Sequence, residues 1–341
     1  MGKIVISNKL IVAFVGLLFL ASCSIESPYE YLVQGETMGT TYNVKMVFDK
    51  SKSSDELNVY QVAVEKSLDL VDRLMSTYRA DSEVSILNNM PEGQPLSIST
   101  QTYDVLDASQ NISRMTNGSF DVTVGPLVDL WGFGPQYKQD TVPNREDVLV
   151  AKSFVNWQAI KLNDGQAVKT QNVRVDLSAI AKGYAVDQIA SSLKRLNVVN
   201  FLVEVGGEIS VYGVNQHKNA WVLGIEQPNI LGRKAYTTIS LKNNSLATSG
   251  DYRNYYEKNG KRYSHTIDPA TGYPVTHRLA SVSVIAGSCM ESDALATALM
   301  VMGEEKGFQF ALKENINAYF IYRENDLFKT VYTPGFEPYL N

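Results

Sequence analysis

The fold is decided by a run of strand-like segments that begins with FLVEVGGEISVYG at residues 201–213. Similar segments follow at WVLGIE (221–226), YTTISL (236–241) and SVSVIA (281–286). Stretches rich in β-branched and aromatic residues, separated by Gly or Asn turns, are typical of β-strands. Because these strands cluster rather than alternate strictly with helices, they favour α+β over a doubly wound parallel sheet. We therefore predict an α+β fold of mixed, largely antiparallel sheets with packed helices.

The flanking sequence adds helices and further strands. Residues 42–48 alternate apolar and polar side chains as a half-buried strand does, and AYFIYR (318–323) is also strand-like. Apolar spacing behind a Ser53-Ser54 cap predicts a helix over 54–76. Further helices are expected over about 100–117, about 178–195 beginning at Ser178, and about 291–302 ending at Gly303. No repeat or long linker interrupts residues 34–341, which we interpret as one catalytic domain.

Composition excludes several classes of function. The chain has 341 residues, of which 44% are hydrophobic, so it can bury a sizeable core. Its formal net charge of −5 gives no basic surface for a nucleic-acid partner. With only Cys23 and Cys289, neither a disulfide framework nor a Cys-rich zinc site can form, and Cys289 is interpreted as a buried small side chain. The three histidines do not cluster, so a metal is expected to be held by oxygen.

The N-terminus has the features of an export signal. Lys3 and Lys9 precede the apolar run LIVAFVGLLFL (10–20), which is too short to span a bilayer. The run ends in Leu-Ala-Ser-Cys at 20–23, which resembles a bacterial lipobox. This predicts a lipoprotein signal peptide over 1–22, a lipid anchor on Cys23, a tether over 23–33 and an extracytoplasmic, membrane-anchored protein. The alternative is an ordinary secretory signal, with Cys23 an incidental thiol.

One candidate site pairs a carboxylate with a hydroxyl. Asp293 and Thr297 share one face of the last predicted helix, one turn apart. Together they are suitable hard ligands for Mg²⁺. The alternative is an Asp favoured by the helix dipole and a Thr bonded to its own helix.

Two further segments are dense in small polar groups. A helix that begins at Ser178 would offer free N–H groups to a phosphate, with Lys182 one turn further on, although a capped helix with a solvated lysine fits as well. The segment 249–269 is interpreted as a hairpin that presents side chains at its ends. His265 lies in it, either as a proton acceptor or as a structural histidine.

Taken in order, these segments resemble one family of proteins. The matching stretches are TMGTTY (37–42), STYR (76–79) with DSE (81–83), GSFDVTVGPL (118–127), LWGFG (130–134), DLSAIAKGYA (176–185), EVGGE (204–208), residues 247–255, SHTIDP (264–269) and DALAT (293–297). The family is ApbE, the FAD:protein FMN transferases, and the resemblance covers about residues 34–303. It implies an ApbE-type, T-fold-like catalytic domain over 34–341.

The resemblance also implies a reaction and its residues. Members use Mg²⁺ to cleave FAD and transfer FMN to a threonine or serine hydroxyl of an acceptor protein, with release of AMP. Acceptors include extracytoplasmic subunits of membrane redox complexes of the Nqr and Rnf type. By matched position, Asp293, Thr297 and the carbonyl of Ala179 are the metal ligands, and His265 is the base. Flavin contacts fall at Met38, Tyr78, Ser119, Phe120, Asp121, Asp176, Lys182 and Ile267.

Two other functions fit the same sequence. In a Mg²⁺-dependent FAD pyrophosphatase, water would replace the acceptor hydroxyl and FMN and AMP would be released. A non-catalytic flavin-binding lipoprotein would return intact FAD, and it would not need Asp293, Thr297 and His265. The fate of FAD and of an acceptor protein distinguishes the three functions.

Overall fold

The structure is a computed structural model that describes residues 28–134, 142–228, 234–252, 254–258, 260–325 and 327–341. The strands, in chain order, are β1 (Tyr29–Thr37), β2 (Thr40–Phe48), β3 (Pro95–Ser97), β4 (Ile160–Asn163), β5 (Gln166–Lys169), β6 (Phe201–Val205), β7 (Glu208–Tyr212), β8 (Trp221–Glu226), β9 (Ala235–Leu241), β10 (Ser245–Gly250), β11 (Tyr255–Lys258), β12 (Lys261–Ser264), β13 (Leu279–Ala286), β14 (Asn317–Glu324) and β15 (Leu327–Tyr332). The helices are α1 (Ser54–Met75), α2 (Glu83–Asn89), α3 (Thr100–Met115), α4 (Gly125–Leu130), α5 (Arg145–Lys152), α6 (Ala181–Arg195) and α7 (Cys289–Lys313).

Within the described residues, the central feature is an eight-stranded sheet of order β1-β2-β6-β7-β10-β13-β14-β15. Every neighbouring pair in it is antiparallel. Helices α1, α6 and α7 pack together on one face, where Met46, Val203 and Val284 meet Leu68, Ile189 and Leu299 in the main core. The hairpin β8–β9 covers the other face with Trp221, Leu223 and Ile239. The α+β prediction is confirmed.

Local sequence signals account for the start of α1 and for the break in α7. Ser53 caps α1 in a capping box with Glu56, because the serine oxygen accepts the Glu56 N–H and the glutamate accepts the Ser53 N–H. Gly303, at φ 81° and ψ 178°, breaks α7 where the sequence predicted its end. A second helical segment then continues to Lys313, which the sequence analysis did not predict.

Two predicted boundaries are wrong. Residues 29–33, assigned to the tether, belong to β1, because Tyr29–Val33 pair with Val44–Phe48 of β2. Helix α6 begins at Ala181 rather than at Ser178 and has no side-chain cap. The Ser178 N–H and hydroxyl both donate to the Asp176 carboxylate, so Ser178 forms a turn before the helix.

The predicted signal peptide and Cys23 lie outside the described residues. In the part of the chain that is described, no helix is long and apolar enough to cross a membrane.

Candidate active site

The candidate site lies at one end of the large sheet. Two hairpin tips meet there, because the Gly206 N–H in the β6–β7 turn donates to the Thr41 carbonyl beside the β1–β2 turn, at 3.0 Å. Met38 forms the β1–β2 tip with φ 46° and Gly39 follows with φ 71°, as a two-residue hairpin turn requires. The β10 strand runs antiparallel to β7 and carries Ser249 past the β6–β7 turn.

Helices α6 and α7 bring a lysine and a carboxylate to this end of the sheet. Asp293 is buried, and its Oδ2 accepts the Gly183 N–H at 3.0 Å. A β-carbon at position 183 would lie 2.3 Å from the Cys289 carbonyl oxygen and 2.9 Å from the Asp293 Cβ. The glycine therefore permits the close helix contact that aligns Asp293.

Replacing Gly183 with alanine is expected to lower the free energy of unfolding by about 1–3 kcal/mol, because overpacking forces backbone shifts. Misalignment of Asp293 should reduce activity in the molecules that fold. Thermal or urea unfolding measures the first effect. Gly287→Ala is the matched control, since a β-carbon at 287 would meet nothing within 4 Å. Equal stability of the two variants would contradict the packing argument.

Lys182 connects two buried carboxylates. Its Nζ donates to Glu208 Oε1 and lies 3.9 Å from Asp293 Oδ1. Burial lowers the pKa of Lys182, but the charges of Asp293 and Glu208 outweigh it, so the pKa is raised and the ammonium stays protonated. Burial raises the pKa of the Glu208 carboxyl, and the Lys182 charge opposes that shift. The sequence indicated no role for Glu208, although it ends the matching stretch EVGGE and follows two turn glycines.

Helix α7 carries a hydroxyl group, that of Thr297, four residues after Asp293. The Thr297 hydroxyl lies 3.3 Å from the Ser249 hydroxyl of β10. Thr297 is therefore directed toward the sheet, one turn beyond Asp293 on α7. Ala179 lies in the turn that precedes α6 and is partly buried. The structure thus places Asp293 against the start of α6 and Thr297 against β10. Cys289 is fully buried, as predicted.

Asp187 is a positioning residue that the sequence analysis missed. From α6 it accepts the N–H groups of Cys289 and Met290, both at 2.9 Å, and so caps the start of α7. Burial raises the pKa of Asp187 to about 6, and the two N–H donors act in the opposite direction. No spacing could reveal this contact, since its partners lie more than 100 residues away in the chain.

His265 is held in one orientation by the hairpin β11–β12. Its Nδ1 lies 2.9 Å from the Asn254 carbonyl, and its backbone N–H donates to the same oxygen at 3.1 Å. Because a carbonyl only accepts, Nδ1 carries the proton and the neutral ring presents Nε2 as an acceptor. Burial lowers the pKa of His265, and the Asn254 hydrogen bond and the charge of Asp251 oppose that shift.

The aromatic side chains of the matching stretches STYR and LWGFG differ in exposure. Tyr78 is 76% exposed, so its ring is available to a planar ligand. Trp131 is buried and its indole N–H donates to the Gly272 carbonyl, so its ring is not available to stack on a ligand. Phe133 is partly buried and meets the His265 ring edge-on, with centroids 6.3 Å apart. Ile267 is buried beside Trp131 and Leu127.

The segment 119–121 turns most of its side chains inward. Phe120 is buried in the main core. Asp121 accepts the Thr123 N–H and hydroxyl at 2.7 and 2.6 Å and the Trp157 N–H at 3.2 Å. A ligand would therefore meet the backbone of Phe120 and Asp121 rather than their side chains, while Ser119 is partly exposed. Asp176 is bound to this segment, since its N–H donates to the Val122 carbonyl at 2.7 Å.

Comparison with known proteins identifies the family. The model of the ApbE family matches residues 38–320. The chain belongs to the ApbE family. It is 40% identical over 333 residues to the FAD:protein FMN transferase of Vibrio cholerae, covering 97% of this chain and 98% of that one. It is 36% identical over 314 residues to the FAD:protein FMN transferase of Escherichia coli K12, covering 91% and 89%.

Solved ApbE structures have the same fold. The Vibrio cholerae flavin transferase ApbE superposes with a TM-score of 0.85 at 39% identity, covering 92% of this chain and all of that one. The apo form of the Pseudomonas stutzeri flavinyl transferase ApbE gives 0.83 at 38% identity, covering 92% and 97%. The family that the sequence motifs indicated is confirmed, and the names of these ApbE relatives agree with the predicted class of enzyme.

Proposed function

We propose that the chain transfers the FMN part of FAD to a threonine or serine hydroxyl of an acceptor protein and releases AMP. The observation that supports this most is the arrangement of Lys182, a protonated lysine that donates to Glu208 and lies 3.9 Å from the buried Asp293 carboxylate. Asn254 orients the ring of His265, which follows strand β12. Its relatives in Vibrio cholerae and Escherichia coli are named FAD:protein FMN transferases, which supports the transfer of FMN from FAD to a protein. The acceptor oxygen would bond to the FMN phosphorus, the pyrophosphate P–O bond would break toward AMP, and the hydroxyl proton would pass to His265 Nε2.

A magnesium ion fits the residues present. Asp293, Thr297 and the Ala179 carbonyl would hold it, all through oxygen, which suits a hard cation. Asp293 Oδ2 is taken by the Gly183 N–H, whereas Oδ1 lies beyond hydrogen-bond distance of Lys182. A bound Mg²⁺ would neutralise phosphate charge and polarise the phosphorus–oxygen bonds.

The reaction also requires neutralisation of the phosphate charge, binding of the dinucleotide and a proton acceptor, and residues of this protein would supply all three. Lys182 would neutralise the pyrophosphate as a fixed positive charge. Met38, Tyr78, Ser119, Asp176 and Ile267 would contact the dinucleotide, together with the backbone at Phe120 and Asp121. His265 is uncharged at neutral pH because burial lowers its pKa, so it can accept the hydroxyl proton.

The N-terminal sequence supports a proposed location, and the family resemblance supports a proposed partner. We propose export, lipid attachment at Cys23, and an acceptor subunit of a membrane redox complex of the Nqr or Rnf type. An extracytoplasmic acceptor and a membrane-anchored transferase would meet at the same membrane surface. Globomycin, which blocks lipoprotein signal peptidase, should leave the precursor uncleaved, whereas cleavage in its presence would indicate an ordinary signal peptide.

An intact-mass experiment tests the activity. The full chain in detergent is mixed with FAD, Mg²⁺ and a redox-subunit domain that carries the acceptor threonine. We expect the acceptor to gain the mass of one FMN group, with AMP in equal amount, and the gain to vanish when Mg²⁺ is chelated. Free FMN beside an unmodified acceptor would support the pyrophosphatase instead. Intact FAD throughout would leave only the binding protein.

A further inference from the structure

Glu208 carries a buried carboxylate oxygen that has no hydrogen-bond partner among the described residues. The residue is 4% exposed, and its Oε1 accepts from Lys182. Its Oε2 is buried and makes no hydrogen bond to any residue that the structure describes. Leaving a buried charged acceptor unpaired is costly, and such atoms are rare in native proteins. A donor that arrives with a ligand would remove that cost.

The two oxygens of Glu208 face different parts of the site. Oε1 faces Lys182 and, through it, Asp293. Oε2 lies beside the β6–β7 turn, since a β-carbon at Gly206 would be 3.3 Å from it and 3.2 Å from the Thr40 hydroxyl. Thr40 follows directly after the β1–β2 tip, which carries Met38. Glu208 therefore lies between the lysine and that hairpin tip.

This position matches one part of the substrate. Under the proposed function, Lys182 meets the pyrophosphate and Met38 meets the flavin, so the atoms between them are those of the ribityl chain. The ribityl chain carries three hydroxyl groups, and a carboxylate oxygen can only accept a hydrogen bond. We propose that Glu208 Oε2 accepts a hydrogen bond from a ribityl hydroxyl of bound FAD. The inference rests on the proposed binding of FAD.

The contact would make the site recognise the ribityl chain of FAD as well as the two ends of the dinucleotide. An analogue without the contacted hydroxyl would leave Oε2 unpaired in the complex. Sites built to pair a buried polar group discriminate strongly against ligands that lack its partner. Hydrogen bonds to charged groups correspond to a change of about tenfold or more in affinity.

A thermodynamic cycle tests the contact. The wild-type chain and Glu208→Gln are titrated with FAD and with its 2′-, 3′- and 4′-deoxyribityl analogues, by flavin fluorescence in the presence of chelator. We expect Glu208→Gln to weaken FAD binding about tenfold or more. One deoxy analogue should bind the wild type about as weakly as it binds the variant. Glu208→Gln should therefore have little effect on the affinity for that one analogue.

The control is Glu204→Gln, which changes the same charge on the same hairpin. Both Glu204 oxygens already have partners, the Asn43 amide at 2.7 Å and the Gly207 N–H at 2.8 Å, so its effect on FAD should not depend on the analogue. If Glu208→Gln does not fold, Glu208→Asp, which keeps the charge but withdraws Oε2, replaces it in the cycle.

Three results would decide against the contact. If Glu208→Gln weakened the binding of FAD and of every analogue equally, Glu208 would act only through Lys182. An effect that appears only when Mg²⁺ or Ca²⁺ is added would assign the donor to a metal-bound water. No effect on any ligand would show that Oε2 does not meet the substrate. Failure of the wild-type chain to bind FAD at all would instead overturn the proposed function.

Discussion

Replacing Asp293 with alanine is expected to abolish FAD cleavage and flavin transfer. Asp293 is the one carboxylate among the proposed metal ligands, so its loss removes the charge that attracts Mg²⁺. A catalytic metal ion lowers the activation free energy of such reactions by several kcal/mol, and each ~1.4 kcal/mol changes the rate by a factor of ten. We therefore expect kcat to fall by about a thousandfold or more. The measurement is AMP release from FAD as a function of Mg²⁺ concentration.

Two further variants distinguish the loss of a metal ligand from a disturbance of helix packing. Asp293→Asn keeps an oxygen for the Gly183 N–H but loses the charge, so it should fold normally and still require far more Mg²⁺ than the wild type. Glu291→Ala removes an exposed acid two residues earlier in the same helix and should leave the Mg²⁺ dependence unchanged. Wild-type turnover of Asp293→Ala at low Mg²⁺ would disprove the metal assignment.

Most of the secondary structure could be predicted because local chemistry determines it. Helix α1 is fixed by its Ser53 cap and apolar spacing, and the strands β6, β8 and β13 by β-branched residues. Strand β10 could not be predicted in the same way. Its sequence, SLATSG, is dominated by small residues, which suit the close approach of α7, where the Cys289 sulfur lies 3.9 Å from the Leu246 carbonyl.

The site could be predicted only in part. The spacing of Asp293 and Thr297 predicted a pair of oxygen ligands, and the polar segments around them made Lys182 and His265 candidates. The family resemblance then implied a role for each residue. Contacts that depend on how α6, α7 and β7 pack were not visible in the sequence, including the Asp187 cap and the Glu208–Lys182 pair. Ser178 was misassigned as a helix start because the Asp176 carboxylate, two residues earlier, binds its N–H and hydroxyl instead.

Replacing His265 with alanine is expected to leave FAD binding intact and to slow labelling of the acceptor by about 10²–10⁴-fold, the usual contribution of a general base. The ring interacts with the Asn254 carbonyl and the Phe133 edge, so its removal leaves the Lys182 cluster in place. Flavin fluorescence gives the FAD affinity, and intact mass gives the labelling rate. Loss of FAD affinity would give His265 a structural role instead.

The pH dependence gives an independent test of the same assignment. A base works when unprotonated, so labelling should be fast above the pKa of His265 and fall as the pH drops through it. Because burial lowers that pKa from 6.5, the acidic limb of the wild-type profile should have its midpoint below pH 6.5. His265→Gln, which can still donate to the Asn254 carbonyl but cannot act as a base, should lack this limb. His217→Ala, at an exposed histidine, should keep it. A limb that persists in His265→Gln would assign the titration, and the role of base, to another group.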